Sequence, residues 1–354
     1  MRAICERFVS KRGTVAVLAD HLCGGRHRGR GARDDRCLLR HETARSSAGS
    51  GVILRRSPPL EADPDPSAII GPMGDASKSR LLLACPDRPG LIARVSGFLA
   101  EAGLNIVDVD QHSSAEGRFF MRMVFDSPPA GQRRQLERRF AHEIGEPFEM
   151  EFELTEAERR KRVAILVSRE DHCLSDLLWR WRSGDLGGEV VAVLSNHPDH
   201  RDQATAVGLP FHHVPVDPAA REEAERQLLD LIGEVELVVL ARYMQILSPA
   251  FLERLGAPAI NIHHSFLPAF VGADPYARAH ERGVKLIGAT AHYVTEELDA
   301  GPIIDQDVTR VSHRDEIGDL MRIGRDIERL VLARAVMAHL DDRVLLDGAR
   351  TIVF

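Results

Sequence analysis

The sequence lacks the long apolar runs of membrane proteins and the basic, aromatic-rich stretches of nucleic-acid-binding proteins. No segment approaches the roughly 18 consecutive apolar residues of a transmembrane helix, and no apolar signal-peptide core follows Met1. Aromatic residues make up only 5% of the 354 residues, and the formal net charge is -7. A nucleic-acid surface normally combines a basic stripe with stacking rings. We therefore predict a soluble protein that binds neither membranes nor nucleic acids.

Cysteine is also scarce, and its distribution does not suggest disulfide bonds. The five cysteines are an odd number and lie far apart, at Cys5, Cys23, Cys37, Cys85 and Cys173. They show neither CxxC spacing nor the density of small secreted domains. The pattern predicts reduced thiols and a cytoplasmic protein.

The first 78 residues lack the periodic apolar positions of packed helices and strands. They include RHRGRGARDDR (26–36) and the Pro/Asp tract SPPLEADPDPS (57–67). This composition predicts a disordered extension over residues 1–78. Its acidic residues are too many for an organelle transit peptide, and its RGRG run could contact RNA. We prefer the interpretation that this extension has no function, or that translation begins at Met73.

Two patterns of strands and helices follow this extension. Residues 79–153 alternate as strand, helix, strand, strand, helix, strand, which is typical of a ferredoxin-like βαββαβ domain. The charged residues 154–162 carry no evident core position and predict a linker. Residues 163–354 alternate short apolar strands with helical stretches, which predicts an open, mostly parallel, Rossmann-like α/β sheet covered by helices on both faces. Ligands of such sheets bind beyond the carboxyl ends of the strands.

The second domain lacks the usual sequence marks of a nucleotide or metal site. The turn after its first strand reads SREDHCLSD (168–176), in which no glycine allows the backbone to approach a phosphate. The adjacent pairs His263–His264 and His212–His213 should each point to opposite faces of an extended segment, so they cannot share one ion. No HExxH motif or cysteine pair is present. We expect no metal and no cofactor.

One polar stretch, NIHHSFLP (261–268), combines groups that can catalyse a reaction. Ser265 does not lie in a GxSxG elbow and is not favoured as a nucleophile. Asn261 and His263 are two positions apart and should share one face of an extended segment. An asparagine can donate to an oxyanion, and a histidine can transfer a proton near neutral pH. Taken alone, the pair would more simply be a turn cap and a structural imidazole.

A second polar stretch, HYVTEELDAGPI (292–303), places Asp299 before an Ala-Gly-Pro turn, where it could also serve only as a turn residue. Together, the two stretches resemble the formyltransferase family of folate enzymes, whose Asn-x-His…Asp triad handles the N10-formyl group of formyltetrahydrofolate. The resemblance implies three catalytic residues: Asn261, His263 and Asp299. It also implies a folate pocket, partly from ARYMQILSP (241–249), with these members: Met244, Ile246, Leu247, His292 and Val294.

In the first domain, the turn DRPGL (87–91) and the later GLNI (103–106) resemble ACT domains, small modules that often sense amino acids at subunit interfaces. The resemblance implies an amino-acid effector site at Asp87, Pro89 and Gly90. It also implies that the domains pair side by side, so a homo-oligomer is expected. A surface used only for assembly is the alternative.

The whole set of motifs over residues 79–354 resembles the formyltetrahydrofolate deformylases, a group within the formyltransferase family. The resemblance implies hydrolysis of 10-formyltetrahydrofolate to formate and tetrahydrofolate, which would serve one-carbon balance and purine synthesis. Family members that transfer the formyl group to a phosphorylated acceptor use a Gly-rich loop that SREDHCLSD does not provide, so water is the favoured acceptor. Transfer to an unphosphorylated amine and an inactive amino-acid-sensing binding protein are the alternatives.

One segment departs from this family pattern. VGADPYARAH (271–280) has Asp274 where a basic residue is usual and Ala277 where histidine is usual. We expect this segment to form a mobile loop over the folate. The two departures should therefore change substrate affinity more than reaction type.

Overall fold

The computed structural model describes residues 77–268 and 275–354. The predicted N-terminal extension, up to residue 76, lies outside the described residues, and so does Asp274. The predicted loop over the folate is helical from Pro275 onward, so that part of the prediction was wrong.

The described residues form two main sheets, a C-terminal hairpin and eight α-helices. The strands are β1 (Lys78–Pro86), β2 (Ile106–Ser113), β3 (Arg118–Asp126), β4 (Glu151–Glu156), β5 (Lys161–Val167), β6 (Gly188–Ser195), β7 (Phe211–His213), β8 (Leu237–Ala241), β9 (Ala259–His263), β10 (Leu286–Tyr293), β11 (Ile303–Arg310), β12 (Val344–Asp347) and β13 (Arg350–Val353). The helices are α1 (Leu91–Glu101), α2 (Arg133–Phe140), α3 (His172–Ser183), α4 (Arg201–Ala206), α5 (Arg221–Ile232), α6 (Pro249–Leu255), α7 (Pro275–Glu281) and α8 (Ile317–Leu340). A π-helical turn, Ala141–Gly145, extends α2, and a 3-10 turn, Pro218–Ala220, precedes α5. The long helix α8 contains charged residues along its length. In residues 77–268 and 275–354, no helix combines the length and hydropathy of a membrane span.

The first sheet is antiparallel, with strand order β2-β3-β1-β4. Helices α1 and α2 pack on one face, where Phe98, Phe140 and Phe152 contribute to one apolar core. Helix α1 begins after Gly90, whose φ of 90° is a left-handed conformation that glycine adopts without steric cost. The DRPGL turn therefore starts the helix as its sequence suggested.

The segment predicted as a linker is shorter than expected and partly buried. Strand β4 continues to Glu156 and β5 begins at Lys161, so only residues 157–160 lie between the two strands. The expectation that this segment contains no core position was wrong. Leu154 belongs to the core of the first sheet, and Lys161 is buried because it pairs with the carboxylate of Asp342.

The second sheet has strand order β11-β10-β9-β8-β5-β6-β7. The pairings from β9 to β7 are parallel, whereas β10 is antiparallel to both β9 and β11. Side chains of α3 and α8 cover one face, and side chains of α5 and α6 cover the other. The predicted open, mostly parallel sheet with helices on both faces is confirmed. Because both faces are buried, β5 and β8 are almost continuously apolar.

The hairpin of β12 and β13 packs against the face of the first sheet that α1 and α2 leave open. Their contact is a small apolar cluster of Leu82, Ala84, Phe120, Leu345, Ile352 and Phe354. The first sheet is thus in direct contact with the C-terminal segment that follows α8.

Candidate active site

The three residues predicted to be catalytic meet beside β9. Asn261 and His263 lie on β9 at alternate positions, so their side chains share one face of the sheet. Asp299 comes from the loop between β10 and β11. Its Oδ2 atom is 3.2 Å from His263 Nδ1. The fold therefore brings the Asn-x-His motif and the distant aspartate into contact.

His292, predicted as a substrate-binding residue, completes this group from the neighbouring strand. It lies opposite Asn261 in the antiparallel pairing of β9 and β10. Asn261 Nδ2 donates to His292 Nε2 at 3.3 Å, and His292 Nδ1 donates to the backbone carbonyl of Tyr293 at 2.9 Å. These contacts favour the tautomer that carries its proton on Nδ1. His292 Nε2 is also 3.7 Å from Asp299 Oδ1, so the carboxylate lies between two imidazoles.

Asp299 is held in its ionised form. A hydrogen bond from His263, and next the nearby imidazole of His292, keep the pKa of Asp299 well below its usual value although the side chain is only 14% exposed. Such a carboxylate is a poor proton acceptor at neutral pH, but it orients and stabilises an imidazole that carries a proton.

His263 has one ring nitrogen available for chemistry. With its Nδ1 donating to Asp299, the other nitrogen, Nε2, is buried and has no hydrogen-bond partner in the described part of the chain. Buried polar atoms are nearly always hydrogen-bonded in folded proteins, so an exception requires an explanation. A bound water or substrate atom would supply the missing partner.

The backbone around Asp299 is also unusual. Asp299 has a φ of 55°, a left-handed conformation that aspartate tolerates better than most residues. Two positions later, a Cβ added to Gly301 would lie 1.7 Å from the backbone oxygen of Tyr293. The loop can therefore return close to β10, with Asp299 over the two imidazoles, only because position 301 has no side chain.

His264 has a position that differs from the one predicted from the sequence. The prediction that the rings of His263 and His264 point to opposite faces was wrong. Strand β9 ends at His263, and His264 turns back so that the two rings stack, with centroids 5.2 Å apart and planes at 24°. Arg242 Nη1 donates to His264 Nδ1 at 2.7 Å. Burial, and then the charge of Arg242, lower the pKa of His264 to about 4, so its ring is neutral at physiological pH.

A buried glutamate on α8, Glu328, connects this arginine to two further polar side chains. Its Oε2 atom is 2.8 Å from His172 Nε2 and 3.4 Å from Arg242 Nε, and its Oε1 atom accepts from the Tyr276 hydroxyl at 2.6 Å. Burial would raise the pKa of Glu328, but His172, Arg242 and Tyr276 together lower it. We did not predict this cluster from the sequence. The available signal was an acidic residue on the buried face of a long helix, next to Ile327.

In residues 77–268 and 275–354, one group of side chains has the spacing of a metal site: His172, Cys173 and Glu328, whose ligand atoms lie within 4.8 Å of one another. The carboxylate oxygens of Glu328 already contact His172, Tyr276 and Arg242. Burial raises the pKa of the Cys173 thiol well above its usual value, which disfavours the thiolate that binds metals. The residues therefore fit an internal ion-pair cluster better than a metal site.

Comparison with known proteins identifies the two domains. The ACT domain model matches residues 79–140, and the formyl transferase model matches residues 161–336. The chain is 54% identical over 310 residues to the formyltetrahydrofolate deformylase of Mycobacterium tuberculosis, and the match covers 86% of this chain and 100% of the relative. This chain belongs to the formyltetrahydrofolate deformylase family. The family predicted from the sequence motifs is confirmed.

Other members of the formyltetrahydrofolate deformylase family are similar over the same region. The protein of Bacillus subtilis is 50% identical over 286 residues, which cover 79% of this chain and 95% of the relative. A deformylase structure from Pseudomonas syringae has a TM-score of 0.76 at 49% identity and covers 80% of this chain and 96% of that one. A glycinamide ribonucleotide transformylase from Symbiobacterium toebii has a TM-score of 0.51 at 32% identity. That match covers 94% of the transformylase but only 55% of this chain.

Three of the four apolar residues assigned to the folate pocket, Met244, Ile246 and Leu247, lie on the segment that follows β8, the strand next to β9, and Val294 directly follows β10. Met244 is 56% exposed and Ile246 is 60% exposed. Exposed large apolar side chains at the carboxyl end of a strand are suited to cover a flat ring. Leu247 and Val294 are partly buried and pack against the core under α5 and α6, so they support this surface from below. Their contact with a folate remains a prediction.

The predicted effector residues of this deformylase-family chain lie apart from the triad, on the first sheet. Asp87, Pro89 and Gly90 form an exposed turn between β1 and α1. The amide of Asp87 donates to the carbonyl of Gly117 at 2.8 Å, which ties the turn to the loop between β2 and β3. No described contact joins this turn directly to His263 or Asp299.

Proposed function

We propose that this chain hydrolyses 10-formyltetrahydrofolate to formate and tetrahydrofolate. The observation that carries the proposal is the contact between the ionised Asp299 and His263 Nδ1, which leaves Nε2 of the same ring without a partner. Membership of the formyltetrahydrofolate deformylase family supports the choice of substrate and of water as the acceptor.

In the proposed reaction, His263 acts first as a base and then as an acid. Its Nε2 takes a proton from water while the water oxygen bonds to the formyl carbon. Asp299 stabilises the imidazolium that forms. When the tetrahedral intermediate collapses, the bond between the formyl carbon and N10 breaks and N10 takes the proton from Nε2. The products are tetrahydrofolate and formic acid, which loses its proton to solvent.

Asn261 is assigned to the oxyanion of the tetrahedral intermediate. A side-chain amide has two N–H groups, and one of them donates to His292 Nε2. The second is free to donate to the carbonyl oxygen as it becomes negatively charged. His292 thereby orients the amide. The reaction written in this way requires no metal and no cofactor.

The proposal is tested with purified protein, 10-formyltetrahydrofolate and no added amine. We expect formate and tetrahydrofolate to appear in equal amounts. Turnover that appears only when an unphosphorylated amine is added would replace hydrolysis with formyl transfer. Binding of folate or of amino acids without any turnover would instead support an inactive sensing protein.

We also propose that the ACT-like domain binds an amino acid at the turn of Asp87, Pro89 and Gly90. The chain is further proposed to assemble as a homo-oligomer in the cytoplasm. The formate that it releases would serve purine synthesis. The exposure of this turn and the match to the ACT domain model support the proposed amino-acid site. The test is a panel of amino acids on deformylation, with Gly90→Ala as the variant. Because Gly90 has a left-handed φ, alanine should distort the turn and weaken the response. Light scattering gives the number of subunits.

A further inference from the structure

The cluster of Arg242, His264 and Glu328 makes no contact that the proposed reaction uses, yet it reaches the face of the catalytic ring. His264 stacks on His263 with centroids 5.2 Å apart. Two stacked imidazoles can both carry a charge only at a large cost, because like charges at this distance disfavour each other. The protonation state of His264 therefore matters for any step in which His263 becomes an imidazolium.

The position of Arg242 is determined from several sides. Arg242 directly follows β8 and has a φ of 63°. Its backbone amide donates to the carbonyl of Leu240, and its carbonyl accepts from the backbone amide of Ser168. A left-handed arginine is retained only when surrounding contacts hold it. Its guanidinium lies between His264 Nδ1, at 2.7 Å, and Glu328 Oε2, at 3.4 Å.

Glu328 is itself held from two other helices. His172 at the start of α3 and Tyr276 on α7 both contact its carboxylate. Gly324, one turn earlier on α8, makes room for this contact, since an added Cβ there would lie 1.9 Å from the Tyr276 hydroxyl. The carboxylate can therefore act as a fixed anchor for Arg242.

These contacts specify one form of His264. A guanidinium can only donate, so Nδ1 of His264 must accept and the ring proton must lie on Nε2. The charged and titratable groups that face His264 come from every neighbouring element: Arg242 after β8, His263 on β9, Tyr276 on α7, Asp299 in the β10–β11 loop and Glu328 on α8. Burial and Arg242 outweigh the two carboxylates, so His264 stays uncharged.

We propose that Arg242, anchored by Glu328, is a positioning residue for the hydrolysis: it holds His264 as a neutral, fixed ring against His263, so that the imidazolium of the reaction forms on His263 alone. This role rests on the proposed function of His263. It also gives a role to the side chain of Arg242, which is only 14% exposed and lies next to a histidine pair.

The test compares Arg242→Gln with Arg334→Gln, which removes an exposed arginine that pairs with Asp305 and Asp307 on β11. Two quantities are measured: the titration of the His264 ring by nitrogen-15 NMR, and kcat and KM as functions of pH. In Arg242→Gln, we expect the His264 midpoint to rise from about 4 towards, but not to, 6.5, because burial still lowers it. The kcat should then fall by about threefold or more from pH 8 to pH 5.5, relative to wild type, as a charge appears beside His263. The KM of Arg242→Gln should stay at the wild-type value. Arg334→Gln should behave like wild type in both measurements.

Two further variants separate charge from anchoring. Arg242→Lys keeps the positive charge, so the His264 midpoint should stay low. Glu328→Gln removes a carboxylate that raises the pKa of His264, so the ring should stay neutral, and any loss of kcat should be the same at every pH. A His264 midpoint that rises in Arg242→Gln without a new pH dependence of kcat would overturn the positioning role.

A wild-type measurement keeps the proposal open to refutation if Arg242→Gln does not fold. The ring of His264 in the native protein should show the proton on Nε2, and a proton on Nδ1 or a charged ring at neutral pH would overturn the inference. A wild-type protein that shows the expected His264 form but no hydrolysis would instead refute the proposed function, and with it the catalytic use of this contact.

Discussion

At the residue scale, unusual backbone conformations coincide with the polar clusters. Four non-glycine residues of the described chain have a positive φ, and three of them, Arg242, Asp299 and Asp342, direct a charged side chain to a buried partner. A left-handed conformation costs such residues on the order of 1 kcal/mol. It persists where hydrogen bonds and ion pairs over-determine the position.

Asp299→Asn tests whether the carboxylate is catalytic. Asparagine keeps the shape and tolerates a left-handed φ, but it cannot stabilise an imidazolium on His263. We expect kcat to fall by roughly 10²-fold to 10⁴-fold with little change in KM or melting temperature. Asp326→Asn, on the exposed side of α8, is the matched control. Retention of more than about a tenth of wild-type turnover would show that Asp299 serves only the turn.

His339→Asn tests how burial of a neutral histidine affects stability at low pH. His339 lies at the end of α8, where its Nδ1 is 2.7 Å from the Tyr293 hydroxyl, and burial, followed by Lys161, lowers its pKa from 6.5 to about 3. Because the folded-state pKa is below the unfolded value, the unfolded state binds the proton first. Stability is therefore lost as pH falls below 6.5 and continues to fall until pH reaches the folded pKa.

Asparagine at position 339 can still accept from Tyr293 but does not titrate. The free energy of unfolding should therefore drop less in His339→Asn than in wild type, by about 2 kcal/mol over the two pH units below 6.5. Urea unfolding at several pH values measures this slope. His313→Asn, at an exposed position, should keep the wild-type slope. Equal slopes in wild type and His339→Asn would mean that the unfolding reaction does not take up this proton.

At the element scale, the direction of β10 decides the composition of the site. LIGATAHY forms strand β10, and its antiparallel pairing with β9 places His292 opposite Asn261 and Thr290 opposite His263. A parallel strand would have had a different pairing pattern. The loop that follows then returns across the strand pair, which brings Asp299 to the two imidazoles.

Gly301→Ala tests this loop. The added Cβ would overlap the backbone oxygen of Tyr293, so the loop must move and Asp299 must move with it. We expect kcat to fall at least about tenfold, because misplacing a catalytic group by about 1 Å is enough for a large loss of rate. The melting temperature should also fall. Gly97→Ala on α1 has open space for the methyl group and should stabilise the protein slightly without an effect on kcat. Unchanged turnover in Gly301→Ala would mean that the loop adapts without displacing the carboxylate.

At the scale of the whole molecule, a buried ionic cluster joins the two sheets. The Asp342 carboxylate is paired with Lys161 of β5, accepts from the Thr155 hydroxyl of β4 at 2.8 Å and is 3.3 Å from Arg80 of β1. Burial alone would raise the pKa of Asp342, but Lys161 and Thr155 outweigh it and the pKa lies below its usual value. The cluster contributes stability at all pH values above the unfolded-state pKa, and this stability is lost as pH falls through the folded value.

Asp342→Asn tests the cluster. The variant keeps the left-handed backbone but leaves Lys161 as a buried cation without its anion, so the free energy of unfolding should fall by about 3 to 5 kcal/mol. The neighbouring carboxylate of Asp341 is 45% exposed and only 3.5 Å from Arg80, so Asp341→Asn should cost less than about 1 kcal/mol. Denaturant unfolding at neutral pH compares the two. Equal losses would mean that the buried pairing at Asp342 is no stronger than the exposed one.

The sequence by itself predicted the order of the elements and, through motifs that resemble two known families, the two domain types and the candidate catalytic residues. These depend on local periodicity, turn residues and short motifs, all of which are read within a few positions. The error in the predicted linker was also local. The buried positions of Leu154 and Lys161 were missed because single buried residues in a charged segment produce no hydrophobic periodicity.

Only the tertiary structure decided which distant side chains share an environment. The cluster around Glu328 is built from separate elements, which contribute Arg242, His172 and Tyr276. The charge of Glu328 is acceptable in the interior only because these polar groups meet it there. The same holds for His264, whose ring turns back because β9 ends one residue earlier. Electrostatic energy depends on distance and burial, which sequence spacing does not specify, and so the neutral form of His264 and the ionised form of Asp299 are properties of the folded chain.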